Sequence, residues 1–314
     1  MKNLSARMKQ ARETSWSNLG KKITFFLPGM FVYNGITGRY PAVSVTGDQC
    51  ALECDHCRAK ILQPMVPATE KDDLLKACLT LEHKGNLGVL ISGGCDEQGR
   101  LPWDRVLPAI KEIKRQTGLY ISIHSGLVDE ETALRLKEAG VDQALIDVIG
   151  DEDTFRSVYH VDFGIDRIES SMAAMQRAGL PMAPHVVCGL HRGEIRGERR
   201  AIDIISRFEV EQVVIVSLMK TPGTPSWDWP EPEDRDIVEI LLQARLKMPR
   251  TRISLGCARA RGHDDLAVMA VDAGVNRMAL PSGEAVQRAL DYGMEIRYQK
   301  TCCSVSADFS KTQW

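Results

Sequence analysis

Three cysteines follow one another closely at Cys50, Cys54 and Cys57, in the spacing CxxxCxxC. Thiolates are the usual protein ligands of iron–sulfur clusters, and a cubane commonly takes four of them. Because this segment supplies three, the spacing predicts a cubane with one iron open to a small molecule. The alternative is a zinc site that His56 or a distant cysteine completes, although zinc motifs usually pair two CxxC units.

Six further cysteines bring the total to nine, and an odd number argues against a closed set of disulfides. Cys257 follows an apolar run that has the pattern of a strand, and Cys302 and Cys303 are adjacent near the C-terminus. We expect the C-terminal tail to fold over the catalytic end of the protein and to meet Cys257 there. These thiols, with Cys95 as a further candidate, would then hold an auxiliary iron–sulfur cluster.

Short β-branched runs alternate with amphipathic helical patterns after Tyr40, which is typical of βα units and a parallel sheet. We predict an α/β fold, a complete (β/α)8 TIM-type barrel; a partial barrel of six strands is the alternative. In either case the site lies at the carboxyl ends of the strands. The predicted strands are Ala42–Thr46, Gly88–Ser92, Tyr120–His124, Gln143–Val148, Ala183–Cys188, Gln212–Ser217, Arg252–Leu255 and Arg277–Leu280.

Two segments fall outside this repeat, so we divide the chain into an N-terminal extension (1–40), a barrel (41–293) and a C-terminal tail (294–314). The extension combines a polar helical pattern with an aromatic-rich stretch, and we expect it to seal one end of the barrel. A proline-rich loop that starts at Thr221 carries Trp227 and Trp229. It follows the sixth predicted strand and is either a lid, a docking surface or a plain connection.

Charge and hydropathy exclude some classes of partner. The chain has 40 Lys and Arg against 42 Asp and Glu, so no overall field attracts nucleic acid or a membrane surface. No apolar run approaches the roughly 20 residues that span a bilayer. The N-terminal residues lack the apolar region of a secretory signal. We therefore expect a soluble, cytoplasmic protein that binds neither nucleic acid nor membrane.

The CxxxCxxC loop after the first strand of a βα barrel resembles the radical S-adenosylmethionine (SAM) superfamily. The resemblance implies that Cys50, Cys54 and Cys57 hold a [4Fe–4S] cluster and that SAM binds its open iron through amino and carboxylate groups. An electron from the reduced cluster then cleaves SAM to methionine and a 5′-deoxyadenosyl radical, which takes hydrogen from an unactivated carbon. Amino-acid side chains alone do not supply this chemistry.

Other positions match looser features of the same superfamily. Ser92, Gly93 and Gly94 end the second strand, where the resemblance implies contact with the SAM amino group. Asp147 ends the fourth strand, where it implies contact with the ribose, although a helix cap is the competing role. Gly189 belongs to the fifth-strand motif PHVVCGLH, which resembles a segment that packs along adenine. The guanidinium groups of Arg259 and Arg261 suit a carboxylate such as that of SAM, or a solvated face.

More finely, PAVSVTGDQCALECDHCRAKIL, LISGGCDEQGRLP, VDQALIDVIGD and SLGCARARG resemble the two-component lipoyl synthase within the biotin synthase and lipoyl synthase branch. That resemblance implies sulfur insertion into an octanoyl chain on a lipoyl carrier protein, together with a companion radical SAM subunit and a low-potential electron donor. The single-chain lipoyl synthase carries an N-terminal cysteine motif, whereas no cysteine precedes Cys50 here. The alternatives are a biotin synthase-like enzyme that acts on a free small molecule, and an iron–sulfur scaffold or electron carrier.

Overall fold

An eleven-stranded, parallel sheet forms the centre of the protein. The structure is a computed structural model, and it describes residues 4–29, 31–33, 35–260 and 264–312. The strands of this sheet and of a separate hairpin (β2, β3) are β1 (Lys22–Phe26), β2 (Val32–Tyr33), β3 (Ile36–Thr37), β4 (Ala42–Ser44), β5 (Val66–Pro67), β6 (Gly88–Ser92), β7 (Tyr120–His124), β8 (Gln143–Asp147), β9 (Met182–Cys188), β10 (Gln212–Ser217), β11 (Arg252–Leu255), β12 (Arg277–Ala279) and β13 (Glu295–Gln299).

Helices follow most of the strands and cover the outside of the sheet. They are α1 (Leu4–Leu19), α2 (Lys71–His83), α3 (Trp103–Gln116), α4 (Glu130–Glu138), α5 (Glu152–Thr154), α6 (Ile165–Arg177), α7 (Glu198–Ile205), α8 (Asp234–Lys247), α9 (Asp264–Asp272) and α10 (Gly283–Asp291). None of the helices within the described ranges is long and apolar enough to cross a membrane.

The predicted fold class is confirmed. All eight predicted strands are present, and they lie side by side in chain order from β4 to β12, apart from β5 at the edge. The sheet curls as in a TIM-type barrel, so that alternate side chains of each strand face either the helices or the barrel interior. On β10, for example, Val213 and Ile215 pack in the main core, whereas Val214 and Val216 belong to a separate interior cluster.

The sheet also continues into both terminal segments. β1 lies between β12 and β13, so the N-terminal extension and the C-terminal tail each contribute a strand. The proposed boundaries at residues 40 and 294 remain predictions. At the open edge beyond β13, the backbone of Arg39 donates to Lys300 O at 2.7 Å and accepts from Leu87 N at 2.9 Å. Arg39 thereby links the end of β13 to the chain that enters β6.

Glycine ends three of the helices as their sequences predict. Gly140, Gly179 and Gly274 follow α4, α6 and α9 with φ of 93°, 64° and 79°. Only glycine adopts this left-handed conformation without steric cost, and each turn leads directly into the next strand. This spacing sets where β8, β9 and β12 begin, and hence which residues reach the two ends of the barrel.

Candidate active site

The cysteine triplet occupies the loop that follows β4. Within this loop the Cys54 carbonyl accepts hydrogen bonds from the amides of Cys57 (3.1 Å) and Arg58 (2.9 Å). Glu53, Arg58 and Ala59 have positive φ, which is uncommon for residues with a side chain. Backbone strain of this kind persists where the surroundings impose it, often at functional sites.

The glycines at the end of β6 pack directly against this loop. A Cβ added to Gly94 would lie 2.0 Å from Gln49 O and 2.5 Å from Cys50 Cβ, so no side chain fits at this position. The next residue, Cys95, accepts a hydrogen bond from the Ala51 amide at 2.8 Å. The predicted Ser92–Gly93–Gly94 segment therefore lies beside the triplet, where it was expected.

Cys95 belongs with the triplet rather than with the C-terminal cysteines. Desolvation, followed by repulsion from Cys50, Asp96, Asp147 and Cys57, raises the pKa of its thiol to about 12. Its thiol therefore lies near those of Cys50 and Cys57, two members of the triplet. The prediction that Cys95 joins Cys257 and the tail cysteines is corrected, because the end of β6 holds Cys95 against the triplet loop. We call Cys50, Cys54, Cys57 and Cys95 the mouth thiols.

The mouth thiols suit a cationic cluster. Burial, and then repulsion from neighbouring thiols, raises the pKa of Cys54 well above its usual value, and burial raises that of Cys57 to about 11. Several thiolates crowded into one loop require positive charge, which cluster iron supplies. Among the described residues, no three His, Cys, Asp or Glu side chains are close enough to hold a single metal ion. A cubane takes each cysteine on a separate iron atom, and therefore needs thiols that surround a volume.

His56 and the proline-rich loop cover the outer side of the triplet. Burial lowers the pKa of His56 to about 4, and its ring lies 5.1 Å from that of Tyr159. The Ser226 hydroxyl donates to His56 O at 3.1 Å, and the Ser226 amide donates to Asp55 O at 3.3 Å. The loop after β10 is therefore hydrogen-bonded to the cysteine loop, while its Trp227 side chain remains 51% exposed.

A small cleft lies at the carboxyl ends of β8 and β9. Asp147, Gly150, Thr154, His191 and Glu198 are among the residues that line it. Asp147 also acts electrostatically on Cys57 and Cys95. The residue predicted to contact the SAM ribose thus lies between the cleft and the mouth thiols, and the cap of α5 is provided by Asp151 instead.

Glu198 is a site residue that the sequence did not reveal. It is buried at the start of α7, and its carboxylate accepts from the amides of Gly189 (2.8 Å) and Arg196 (2.7 Å). Desolvation raises its pKa. Gly189, the predicted adenine contact, has φ of 77°, and its amide is fixed by this carboxylate. The sequence signal that could have identified Glu198 is its place directly after Gly197, at the start of a short helix that the periodicity did not predict.

Arg259 faces the backbone rather than the cleft. Its guanidinium donates to Ala279 O and Leu280 O, both at 2.8 Å, and to Gly256 O. These bonds tie together the carboxyl ends of β11 and β12, and the side chain is buried. Arg261, the other predicted carboxylate ligand, lies outside the described residues.

A second group of thiols lies inside the barrel. Cys303 is 2% exposed and packs in the interior cluster with Phe26, Val214, Val216 and Ala279. Its thiol interacts with those of Cys257 and Cys302, and these contacts raise the pKa of Cys303. Hydrogen bonding, first from Cys303 and then from Ser304, lowers the pKa of Cys302. The predicted convergence of Cys257, Cys302 and Cys303 is therefore present, and we call these three the interior thiols.

The tail reaches the interior thiols from the end of the barrel opposite to the one expected. Side chains that begin the strands hold its backbone: Gln212 Nε2 donates to the carbonyls of Cys303 (3.3 Å) and Ser304, and Arg252 Nη1 donates to Ser306 O at 2.9 Å. At the same end, Gln143 Oε1 accepts from the Ser306 amide at 3.1 Å. The expectation that the tail covers the catalytic mouth is wrong, because these polar groups lie at the amino ends of the strands.

Comparison with known proteins agrees with this geometry. Among curated relatives, the biotin synthase of Rickettsia felis is 27% identical over 246 residues, covering 74% of this chain and 76% of its own length. The biotin synthase of Dechloromonas aromatica is 26% identical over 252 residues, covering 76% and 74%. Both of these relatives are biotin synthases, and neither is a component of a lipoyl synthase.

Solved structures share the fold at lower identity. Methylornithine synthase superposes with a TM-score of 0.65 at 17% identity, covering 93% of this chain and 89% of that one. The [FeFe]-hydrogenase maturase from Carboxydothermus hydrogenoformans gives 0.65 at 16% identity, covering 94% and 72%. The family model described as the radical SAM superfamily matches residues 44–203, from β4 into α7, and includes the triplet and the cleft. The chain therefore belongs to the radical SAM superfamily.

Proposed function

We propose that this protein is a radical SAM enzyme that inserts sulfur at an unactivated carbon of its substrate. The observation that carries the proposal is the presence of two separate groups of thiols in one barrel. The mouth thiols lie at the carboxyl ends of the strands, and the interior thiols lie within the barrel. Cys50 and Cys57 act on Cys54 and Cys95, whereas Cys303 interacts with Cys257 and Cys302, which supports two distinct groups.

In this proposal Cys50, Cys54 and Cys57 bind the [4Fe–4S] cluster on which superfamily membership depends. With SAM bound, that cluster would supply the electron that cleaves SAM to a 5′-deoxyadenosyl radical, and a second cluster on the interior thiols would supply the sulfur. The chain's own part is to bind, orient and exclude water. Gly94 lets the backbone of β6 approach Cys50 closely, and the buried Cys54 helps to exclude water from this region.

The cleft is the proposed site for the nucleoside part of SAM. Asp147, at the end of β8, supplies a carboxylate for the ribose hydroxyls. Gly189 presents backbone beside the cleft, where the Glu198 carboxylate fixes the orientation of its amide. The Glu198 hydrogen bonds therefore position a binding segment, and Glu198 itself lines the cleft.

The relatives favour a biotin synthase-like substrate, a free small molecule that gains sulfur. An octanoyl chain on a lipoyl carrier protein is the narrower proposal that the sequence resemblance supports. It would require a companion radical SAM subunit. Both versions need a low-potential electron donor and place the same tasks on the two thiol groups. We propose the free small molecule as the first substrate to test, because the curated relatives point to it.

The test is turnover by anaerobic protein reconstituted with iron and isotopically heavy sulfide, then freed of excess sulfide. It is given SAM, dithionite and either the sulfur-free skeleton of biotin or an octanoylated carrier peptide, the latter with a companion subunit. We expect 5′-deoxyadenosine and a product that carries heavy sulfur. Cys54→Ala should abolish both products. Cys78→Ala, which alters a buried cysteine of α2 outside both groups, should retain them.

Two results would contradict the proposal. Failure of the native protein to release 5′-deoxyadenosine would leave only a scaffold or electron carrier. Release of 5′-deoxyadenosine without heavy sulfur in any product would retain the radical chemistry and remove sulfur insertion.

A further inference from the structure

Four interior positions at the amino ends of the strands hold polar side chains. Gln143, Gln212, Arg252 and Arg277 are the first residues of β8, β10, β11 and β12. Gln212, Arg252 and Arg277 each donate to a carbonyl of the tail between Cys303 and Ser306. These donors fix the backbone that carries Cys302 and Cys303. Unlike the Arg252 side chain, the Arg277 side chain is buried within the barrel.

The Arg277 guanidinium is 4% exposed and lies within the barrel. Its Nη2 donates to Val305 O, and its Cζ lies 4.4 Å from the centroid of the Phe26 ring. Cys303 and Cys302 are among the few ionisable groups that act on it, together with Arg252 and Asp308. A buried cation is stabilised by negative charge nearby, and the groups that favour the charged form of Arg277 are Cys303, Asp308 and Cys302.

Two hydrogen-bond donors on the adjacent strands β11 and β12 have no partner among the described residues. These two are Arg277 Nε and Ser254 Oγ, both buried, on residues that pair in the register of β11 and β12. Among the other residues at the amino ends of the strands, Gln143 Nε2 and Gln212 Oε1 are also without a partner in the part of the chain that the structure describes. Ser254 alternates with Leu255, which packs toward the helices, so the Ser254 hydroxyl faces the interior. Unpaired donors are rare in a protein core because leaving them unsatisfied is costly. Arg277 Nε and Ser254 Oγ lie at paired register positions, and Arg277 is bonded to the tail that carries Cys302 and Cys303, so both atoms are available to an acceptor bound beside that tail.

We propose that Arg277 is a positioning residue of the interior thiol site and that Arg277 and Ser254 donate hydrogen bonds to the sulfur atoms of an iron–sulfur cluster bound there. The proposal rests on the proposed function, which places a cluster on Cys257, Cys302 and Cys303. Hydrogen bonds to cluster sulfurs raise the reduction potential, and outer donors of this kind orient the ligands. We therefore expect two roles for Arg277: it holds the Val305 carbonyl by a hydrogen bond, and it stabilises the reduced state of the cluster.

The experiment compares anaerobically reconstituted full-length variants by iron and sulfide content, by electron paramagnetic resonance and by redox titration of the second cluster. The variants are Arg277→Gln, Arg277→Lys and Ser254→Ala. The matched control is Arg245→Gln. Arg245 is also a buried arginine, 1% exposed, and its Nε likewise has no partner among the described residues. It lies on α8, where it donates to main-chain carbonyls at Pro249 and Thr251 and to the Asn276 side chain rather than to the tail.

In Arg277→Gln we expect a second cluster that is depleted or has a lower potential and altered spectrum, while the first cluster still cleaves SAM within about two-fold of the native rate. Arg277→Lys should restore part of the occupancy. Ser254→Ala should lower the potential without loss of iron. Arg245→Gln should leave both clusters unchanged, although it should reduce stability.

The proposal is overturned if Arg277→Gln and Ser254→Ala both retain the native spectrum and potential, or if Arg245→Gln perturbs the second cluster as strongly. If Arg277→Gln does not fold, Ser254→Ala decides alone, since it removes only a hydroxyl group. Native protein with about four irons instead of about eight would refute the second cluster itself, and with it this proposal. If the native protein binds about eight irons and the variants keep the native spectrum and potential, only the roles of Arg277 and Ser254 are refuted.

Discussion

The mouth thiols and the interior thiols show two ways in which a chain assembles a cysteine site. Cys50, Cys54 and Cys57 lie within one loop, so local backbone geometry nearly suffices to bring them together. The interior thiols come from the end of β11 and from the C-terminal tail, and they meet only after the barrel has formed. We infer that the first site is robust to changes elsewhere, whereas the second depends on packing at the amino ends of the strands.

The largest expected effect comes from Gly94→Ala, which affects the mouth alone. The added Cβ would lie 2.0 Å from Gln49 O, and a backbone atom cannot move aside as a side chain can. Because misplacement by about 1 Å can cost about 100-fold in rate, we expect SAM cleavage to fall by that order. Iron on the interior thiols should remain. Radical assays and iron counts measure both, and equal loss of the two clusters would refute their independence.

A smaller effect is expected from Glu198→Gln, which also affects the mouth. The carboxylate accepts from two amides, and an amide side chain turns an NH₂ group toward one of them. Loss of one buried acceptor costs about 1–3 kcal/mol, so the KM for SAM should rise roughly 10-fold with little change in kcat. The exposed Glu97→Gln is the control. A Glu198→Gln enzyme with native KM would show that the cleft does not bind SAM.

The smallest effect is expected from Gly256→Ala, next to Cys257. Its Cβ would lie 2.4 Å from Val216 Cγ1 and 2.8 Å from Val214 Cγ1, both methyl groups within the interior cluster. Overpacking of this kind costs about 1–3 kcal/mol in unfolding free energy. Denaturant unfolding should show this loss, with partial depletion of the second cluster and intact SAM cleavage. Gly283→Ala, where nothing lies within 4 Å of the added Cβ, should leave stability unchanged.

Much of the fold follows from the sequence because its signals are local. Alternation of strands and helices gives the barrel, and glycines such as Gly140 and Gly274 mark helix ends that the structure confirms. The triplet is equally local. By contrast, α7 has only eight residues and gives no clear periodic pattern, and its first residue is Glu198.

The long-range features could not be predicted in the same way. The position of Cys95 depends on the packing of β6 against the cysteine loop, and the path of the tail depends on polar residues from separate strands. A signal for the tail did exist, since Gln212, Arg252 and Arg277 each open an otherwise largely apolar strand. Polar residues at the amino ends of neighbouring strands suggest an interior partner, but only the fold shows that the partner is the tail.

The most direct test of the central claim is an anaerobic iron and sulfide count on the native protein and on Cys302→Ala/Cys303→Ala. We predict about eight irons in the native protein and about four in the variant, with 5′-deoxyadenosine production retained by both and sulfur insertion lost from the variant. About four irons in both proteins would contradict the account, because the interior thiols would then hold no cluster.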